Sequence, residues 1–314
     1  MKNWRRCFIF FDPHVLVCTL RSKNIKRLAL FQIKLRLPTY LFIQNFNYMK
    51  KIILYLTVLV SLTISFVTKA DCFLVKENDK FIKQEGNCES RYSPCSTFKI
   101  ALSLMGYDAG ILIDETHPKL PFKKGYPAML ETWKQSHTPK DWMKNSCLWY
   151  SFFITKELGY KKFYNYITKF DYGNQDISGD KGKDNSLTHS WRSSSLEISS
   201  EEQLIFLQKL AENKLPVSVK AQEMTKNILF MEDFINGWKL YGKTGSGNKL
   251  SQDRTVKLKD RKIGWFIGWL QKNDRTVFFV HFIEDNKTYD SYAGRRSKEA
   301  AKEKLKELIN KELK

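Results

Sequence analysis

The sequence predicts an α+β fold, in which helices flank an antiparallel sheet and further helices form a helical lobe. Three observations lead to this prediction. Short β-rich runs open the domain at 72–76 and 80–84, and two longer ones lie near its end at 263–270 and 276–284. The residues between these runs hold several predicted helices, and a charged helix closes the chain. Strands at both ends with helices between them are typical of an antiparallel sheet joined to a helical lobe.

The first seventy residues are predicted to lie outside this domain. Met49-Lys50-Lys51 precedes an apolar run of about sixteen residues, which ends in Thr68-Lys69-Ala70. This is the order of a signal peptide, and the run is shorter than the roughly twenty residues that span a bilayer. We therefore predict a signal peptide at 49–70, export to the periplasm and no stable membrane anchor after cleavage. Residues 1–48 are predicted to be a non-native extension produced by an upstream start site.

The charge of the chain first suggests nucleic acid as a partner, because the net charge is +20. Residues 1–70 alone carry +11, and the remaining +9 is spread along the sequence. No clustered Lys/Arg tract with interleaved aromatic residues is present. We therefore predict a basic exported protein that does not bind nucleic acid.

The predicted domain, 71–314, begins with a hairpin whose turn lies near Asn78-Asp79. Cys72 and Cys88 flank this hairpin and could face each other, and export would allow a disulfide to persist. The sequence leaves the pairing among Cys72, Cys88, Cys95 and Cys147 open. Cys95 and Cys147 could equally be small buried residues.

The helical part follows in order. Residues 107–145 contain four prolines and are predicted to be irregular, and the polar, Gly-rich stretch 171–190 is predicted to be a long surface loop. Ser199 or Ser200 is the expected cap of one helix. The predicted helices cover 95–105, 146–159, 161–169, 201–211 and 217–230.

The final part is predicted to form the sheet and one helix. A strand at 237–243 precedes the strands at 263–270 and 276–284, which a hairpin at 271–275 joins. The last helix, 296–313, places Ala301, Leu305, Leu308 and Ile309 on one face.

The candidate nucleophile lies in Pro94-Cys95-Ser96-Thr97-Phe98-Lys99, which opens an apolar helix. Residues three apart share a helix face, so Lys99 would stand beside Ser96 as its base. A lysine can be that base only if burial suppresses its charge. Ser-x-x-Lys also occurs at 178–181 and 246–249, in Gly-rich stretches predicted to be loops or turns. On this motif alone, Ser96 could equally be an ordinary serine at a helix start.

Two further motifs accompany the first. Ser146-Cys147-Leu148 is predicted to begin a helix, and Lys243-Thr244-Gly245-Ser246 to end a strand. Lys243 and Thr244 would place a positive charge and a hydroxyl along one cleft wall, which suits a substrate carboxylate. The backbone N–H groups of Ser96 and Ser246 could form an oxyanion hole. Lys-Thr-Gly alone is a common tripeptide. The prediction of an active site therefore depends on finding the motifs at Ser96, Ser146 and Lys243 together and in this order.

These motifs make residues 71–314 resemble the class D, oxacillinase-type, serine β-lactamases, within the penicillin-recognising serine enzymes. The Tyr-Gly-Asn match is particular to this class. The matching residues are Ser96-Thr97-Phe98-Lys99, Ser146 with the two residues after it, Tyr172-Gly173-Asn174, Trp191 followed by Leu196-Glu197-Ile198-Ser199, Lys243-Thr244-Gly245 and Gly264-Trp265-Phe266-Ile267-Gly268-Trp269.

The resemblance implies hydrolysis of β-lactam antibiotics, and hence resistance to them, through a serine acyl-enzyme. It implies that Ser96 is acylated and that Lys99 is the base, carried as N6-carboxylysine formed with carbon dioxide. No metal and no other cofactor are expected. The remaining implied roles are proton transfer to the lactam nitrogen by Ser146, hydrogen bonding to the carbamate by Trp191, and substrate binding by Lys243, Thr244, Gly245, Ser246 and Arg296. Arg295 is adjacent and remains an alternative to Arg296.

One departure and two other functions stay open. Leu148 stands where the family usually has valine, so the rate of deacylation is in question. A β-lactam sensor domain shares the fold and acylates without efficient turnover, and a cell-wall transpeptidase is a third possibility that Tyr172-Gly173-Asn174 disfavours. Because sensors carry several membrane segments, the single short apolar run favours the hydrolase. The sequence leaves the range of substrates and the choice between monomer and homodimer open.

Overall fold

The structure, a computed structural model, describes residues 71–313. The predicted N-terminal extension (1–48) and signal peptide (49–70) lie outside the described residues. Within 71–313, none of the helices combines the length and the apolar character needed to cross a membrane.

The described residues form a six-stranded antiparallel sheet with seven α-helices, which confirms the predicted α+β class and adds one strand and short helices to the predicted elements. The strands lie side by side in the order β2-β1-β6-β5-β4-β3. Their bounds are β1 Cys72–Glu77, β2 Lys80–Gly86, β3 Phe230–Asp233, β4 Lys239–Leu250, β5 Lys257–Lys272 and β6 Arg275–Glu284. The helices are α1 Lys99–Asp108, α2 Pro139–Asn145, α3 Leu148–Lys169, α4 Ser186–His189, α5 Ser200–Ala211, α6 Val219–Ile228 and α7 Ala293–Lys311.

Each face of the sheet packs against helices. Side chains alternate along a strand, so Trp265, Ile267 and Trp269 of β5 join the core of the helical lobe, while Phe266 and Leu270 pack on the other side. That second core contains the predicted apolar face of α7, with Ala301, Leu305, Leu308 and Ile309 all buried. Burying one such leucine or isoleucine contributes about 1.5–3 kcal/mol. The sheet is therefore the middle layer of the domain that residues 71–313 form.

Several predicted helices are confirmed with small shifts of their ends. Gly159 has non-helical backbone angles inside α3, which matches the predicted break between two helices. Ser199 caps α5: its side chain accepts a hydrogen bond from the backbone N–H of Glu202, and the Glu202 carboxylate accepts one from the backbone N–H of Ser199.

The irregular character predicted for 107–145 is wrong at its end, where α2 forms. Thr138 and Asp141 make a capping box, and Pro139 occupies the first helical position. Both signals are present in the sequence. The long loop predicted at 171–190 is also more structured than expected, because it contains α4 and buries Tyr172 and Ile177.

Two predictions about strands need correction. The helix predicted over 217–230 ends at Ile228, and Phe230 starts the edge strand β3. Strand β4 runs to Leu250, so Lys243-Thr244-Gly245-Ser246 lies inside the strand and not at its end. Ser246 and Lys249 therefore belong to a strand, where residues three apart point to opposite faces.

The structure also settles the cysteines. Cys72 and Cys88 form a disulfide that ties the start of β1 to the segment after β2. Cys95 and Cys147 are free and buried.

Candidate active site

Ser96 and Lys99 come together at the start of the nucleophile helix. Residues Cys95–Phe98 form a 3₁₀ turn that continues into α1 at Lys99. In a 3₁₀ turn, residues three apart eclipse one another. The Lys99 ammonium nitrogen Nζ accordingly lies 3.3 Å from Ser96 Oγ, and the Lys99 side chain is buried.

The surroundings of Lys99 favour its neutral form. Burial is the main cause and lowers the pKa of Lys99 to about 8. The nearby charge of Arg192 lowers that pKa further. Burial raises the pKa of the Cys95 and Cys147 thiols to about 11, so both are neutral near pH 7 and do not offset the lysine charge. Lys99 can therefore act as a base at moderately alkaline pH.

Ser146 lies between two helices, which corrects the prediction that it begins one. It caps the C-terminus of α2 in a left-handed conformation, with φ of 55° and ψ of 34°. Cys147 follows as the N-cap of α3, and Leu148 is the first residue of that helix. Trp133 supports this junction, because its indole N–H donates to the Asn145 carbonyl at 2.9 Å.

Strand β4 passes directly against the nucleophile turn. A Cβ atom built on Gly245 would lie 2.8 Å from the Pro94 carbonyl oxygen, and one on Gly247 would lie 2.4 Å from Cys95 Sγ. Only glycine permits so close an approach. The two glycines thus let the strand lie beside Ser96.

The side chains of the Lys-Thr-Gly segment are divided between the two faces of β4. Lys243 pairs with Ile267, whose side chain faces the helical lobe, whereas Ser246 faces α7 and its Oγ accepts from the Gly294 N–H at 2.8 Å. Thr244 pairs with Phe266 and lies on the α7 face as well. Lys243 and Thr244 therefore do not share one face of the strand.

Lys243 is buried, and its Nζ donates to the Thr244 carbonyl at 3.0 Å. Burial lowers the pKa of Lys243 well below its usual value, and the charge of Lys99 lowers it further. The two lysines consequently disfavour each other's charged forms.

Trp191 lies behind the nucleophile turn. Its indole is 1% exposed and stacks on Phe98, with ring centroids 5.3 Å apart. Ser93 Oγ donates to the Trp191 carbonyl at 2.8 Å and accepts from the Ser193 N–H at 2.8 Å. These two hydrogen bonds hold the 191–193 segment against the residues that precede Ser96.

The Tyr172-Gly173-Asn174 motif fixes the chain just after Trp191. A Cβ on Gly173, whose φ is +56°, would lie 2.0 Å from the Glu197 carbonyl oxygen. The Asn174 side chain donates to the Ser195 carbonyl at 2.8 Å and accepts from the Glu197 N–H at 3.0 Å. The motif therefore acts on the site through the 195–197 segment.

Neither arginine of the C-terminal pair lines the cavity beside Ser96. Arg296 forms an ion pair with the buried carboxylate of Asp285 and lies 4.2 Å from the ring centroid of Tyr289. Arg295 points to the surface, where it pairs with Glu299 at 3.0 Å.

One cavity of about 340 Å³ brings much of the candidate site together. Sequence reasoning missed seven of its residues. Four of these directly follow a predicted site residue, because Arg192 and Ser193 follow Trp191, and Gly247 and Asn248 follow Ser246. The lining residues are Cys95, Ser96, Met129, Trp133, Ser146, Leu148, Trp191, Arg192, Ser193, Ser246, Gly247, Asn248 and Lys257. Among residues 71–313, no three His, Cys, Asp or Glu side chains are grouped so that they could hold a metal ion.

Three of the lining residues have a left-handed backbone. Cys95, Ser146 and Ser193 have φ between 52° and 55°. This conformation costs a non-glycine residue roughly 1–2 kcal/mol, and such costs are common at functional sites. The surrounding structure holds the three residues around the cavity that Ser96 lines.

Comparisons with known proteins show what this chain resembles. Residues 74–306 match the family model of the penicillin binding protein transpeptidase domain. Beta-lactamase OXA-9 of Klebsiella pneumoniae is 38% identical over 264 residues, which are 80% of this chain and 95% of that protein. Beta-lactamase OXA-1 of Escherichia coli is 43% identical over 203 residues, which are 64% and 70% of the two chains. The crystal structure of the OXA-427 class D beta-lactamase has a TM-score of 0.72 at 45% identity, and the match covers 77% of this chain and 99% of that one.

Proposed function

This chain belongs to the class D serine β-lactamases, and on that premise we propose that it hydrolyses β-lactam antibiotics through an acyl-enzyme on Ser96 and thereby confers resistance. In this proposal Lys99 is the base, Ser146 transfers the proton, and Trp191 stabilises the charged form of the base. The observation that carries the proposal is the 3.3 Å contact between Lys99 Nζ and Ser96 Oγ at a buried lysine. A serine hydroxyl becomes a nucleophile when an adjacent base removes its proton.

The surroundings of Lys99 fit a carbamate. Its pKa of about 8 leaves a usable fraction of neutral amine at physiological pH, and Trp191 lines the adjoining cavity. Carbon dioxide added to that amine would give N6-carboxylysine, an anionic base for both Ser96 and the hydrolytic water. The indole N–H of Trp191 would hold the anion, because a buried indole N–H ordinarily finds a hydrogen-bond acceptor.

Acylation then follows from the placement of the chain's own groups. Ser96 Oγ gives up its proton and bonds to the lactam carbonyl carbon, and the carbonyl electron pair moves onto oxygen. Backbone N–H groups of Ser96 and Ser246 stabilise that oxyanion. Ser146, which lines the same cavity, passes a proton to the ring nitrogen as the carbon–nitrogen bond breaks. Water then attacks the ester and releases Ser96.

Recognition of the substrate carboxylate belongs to Lys243, Thr244, Gly245, Ser246 and Arg296 in this proposal. Gly245 is supported by the close approach of β4 to the nucleophile turn, and Lys243 by its place in the same strand, on the face of the helical lobe. Arg296 has the weaker support, because its guanidinium is paired with Asp285. It would have to exchange that partner for the substrate.

We propose export to the periplasm as well. The Cys72–Cys88 disulfide supports this, because disulfides persist mainly in oxidising compartments.

Hydrolysis of a chromogenic cephalosporin tests the function directly. Steady turnover is expected for a hydrolase, whereas a sensor domain would release about one product per enzyme and then stop. Ser96→Ala should abolish turnover without unfolding the protein, since only the nucleophile is lost. Mass spectrometry should find one acyl group, derived from the penicillin, on the peptide that contains Ser96. An acyl group on Ser178 or Ser246 would refute the assignment.

A further inference from the structure

Arg192 is a cation in the wall of the catalytic cavity that the roles assigned above do not use. It follows Trp191 directly, and both residues line the cavity together with Ser96, Ser146 and Leu148. Trp191 stacks on Phe98, the residue before Lys99. Ser96, whose Oγ lies 3.3 Å from Lys99 Nζ, lines the same cavity as Arg192, so the guanidinium and the lysine both border the surroundings of Ser96.

The contacts of Arg192 leave its charge uncompensated. Its guanidinium donates to the Thr188 carbonyl at 3.4 Å and to His189 Nε2 at 3.3 Å, and it lies 5.4 Å from the ring centroid of Phe152. Burial and the Arg192 charge lower the pKa of His189, which keeps that ring neutral and able to accept. Within residues 71–313, Arg192 forms no ion pair; Asp180, whose charge acts on it, is paired with Lys257 at 3.1 Å.

The other cations near the cavity are already engaged. Lys257 lines the cavity but has the Asp180 carboxylate as its partner. Lys243 is buried, bonds to the Thr244 carbonyl and has a lowered pKa. Arg296 is held by Asp285. An arginine stays charged at every relevant pH, so Arg192 is the permanent positive charge of this wall.

That charge acts on Lys99 in two ways. It destabilises the ammonium form, which agrees with its contribution to the lowered pKa of Lys99. It would also attract a negative charge formed on the same nitrogen. The Cys95 and Cys147 thiols, whose pKa values are raised to about 11, carry no charge near pH 7 that could oppose it.

We propose that Arg192 is a positioning residue whose charge stabilises the carbamate of Lys99, so that the modification persists at low bicarbonate. This inference rests on the proposed function. In the step concerned, the neutral Lys99 nitrogen forms a bond to the carbon of carbon dioxide, one carbon–oxygen double bond becomes a single bond bearing the charge, and the nitrogen releases one proton to solvent. Arg192 makes and breaks no bond.

The test measures the modification and not only the activity. Carbon-13 NMR with labelled bicarbonate gives the concentration at which half of Lys99 carries the carbamate. We expect Arg192→Leu and Arg192→Gln to raise this concentration about tenfold at pH 7, the change equivalent to one pKa unit. Arg192→Lys keeps the charge and should stay within about threefold of wild type. Lys162→Met removes an exposed cation of α3 that does not line the cavity and serves as the control, with no change expected.

Each other outcome decides against the inference. If Arg192→Leu and Arg192→Gln both leave the half-saturating bicarbonate concentration unchanged, the inference is overturned. Two side chains of different shape are used so that a packing defect specific to one of them does not decide the result. A raised KM for penicillins with normal carbamate formation means that Arg192 binds the substrate carboxylate instead. If wild type gives no carbamate signal under saturating bicarbonate, the inference fails together with the proposed carbamate, whereas the acyl group on Ser96 still tests the serine hydrolase independently.

Discussion

At the scale of single residues, the proposed chemistry depends on removing a lysine from water. A lysine amine in water has a pKa near 10.4 and is almost fully charged at neutral pH. Burial lowers the pKa of Lys99 to about 8. Below pH 8 the ammonium form therefore predominates, and above it the neutral amine does. The fraction of lysine that can react with carbon dioxide falls as the pH falls.

We accordingly expect the enzyme to require more bicarbonate at acidic pH. In carbon-dioxide-free buffer, turnover should fall only slightly at pH 8 but about tenfold or more at pH 5 to 6, and added bicarbonate should restore it. Trp191→Ala should lose most turnover and become more dependent on bicarbonate. The measurement is initial rate against pH with and without bicarbonate. Full activity of degassed enzyme across pH 5 to 8, combined with no carbon-13 carbamate signal, would leave the free amine as the base.

A second prediction concerns Leu148, which lines the cavity where the family usually has valine. Its side chain is 6% exposed, at the first position of α3 and two residues after Ser146. If it crowds the hydrolytic water, Leu148→Val should shorten the acyl-enzyme lifetime several-fold. Removing one buried methylene costs about 1 kcal/mol, so the variant should still fold. Rapid quench measures the lifetime, and an equal or longer value argues against crowding.

A third prediction separates Arg296 from Arg295. Arg296→Ala leaves the buried Asp285 carboxylate without its partner, so we expect Tm to fall by several degrees. Arg295→Ala removes only an exposed pair with Glu299, worth at most about 1 kcal/mol, and should change Tm little. KM for a penicillin, measured well below both Tm values, then tests carboxylate binding. We expect Lys243→Ala and Arg296→Ala to raise KM more than Arg295→Ala; the reverse order would transfer the role to Arg295.

At the scale of elements, the site depends on how closely β4 approaches the turn before α1. Gly245 and Gly247 lie against Pro94 and Cys95, and the start of α7 approaches the same strand through Gly294. The turn before α1, strand β4 and the start of α7 are distant in the sequence, and β4 contacts both of the others. The residues that permit this meeting are glycines, because any Cβ would separate the backbones.

Gly245→Ala should consequently impair acylation. The added Cβ would lie 2.8 Å from the Pro94 carbonyl oxygen. That oxygen belongs to the backbone, and the Cβ is fixed to the backbone of β4, so neither can easily move. Overpacking of this kind costs about 1–3 kcal/mol, and we expect kcat/KM to fall at least about tenfold as the strand moves away from Ser96. Tm should be measured in parallel, to separate a displaced strand from an unfolded protein. A folded variant with unchanged kcat/KM would show that the contact does not position the nucleophile.

At the scale of the whole molecule, the sheet separates two apolar cores, and the N-terminal hairpin forms one edge of that sheet. Strand β1 pairs with β6, and β2 is the edge strand. The disulfide from Cys72 to Cys88 closes a loop with a sequence separation of 16 residues around this hairpin. It fixes the edge of the sheet without contacting the catalytic cavity.

Removing this disulfide should reduce stability and leave the chemistry unchanged. A closed loop of this length contributes about 3 kcal/mol, mainly by restricting the unfolded chain. Cys72→Ser with Cys88→Ser should therefore lower Tm by several degrees, while kcat at 25 °C stays close to wild type. Thermal unfolding with and without reductant checks this, since reductant should shift wild type toward the double variant. Unequal effects of the two treatments would mean that the serines disturb packing.

The features that the sequence by itself determined are those that depend on residues close together in the chain. The Ser96–Lys99 pair follows from a three-residue spacing, a serine cap of α5 from the adjacent Ser199 and Ser200, and the β5–β6 hairpin from two β-rich runs, because each depends on neighbours in the chain. The capping box of α2 was also readable, although the prolines around it favoured an irregular segment.

What only the tertiary structure decided depends on contacts between distant segments. Burial sets the pKa of Lys99, the partner of Arg296 is Asp285, and one cavity brings Arg192 and Ser96 together. Electrostatic energies depend on distance and burial, and neither quantity exists until the segments pack together.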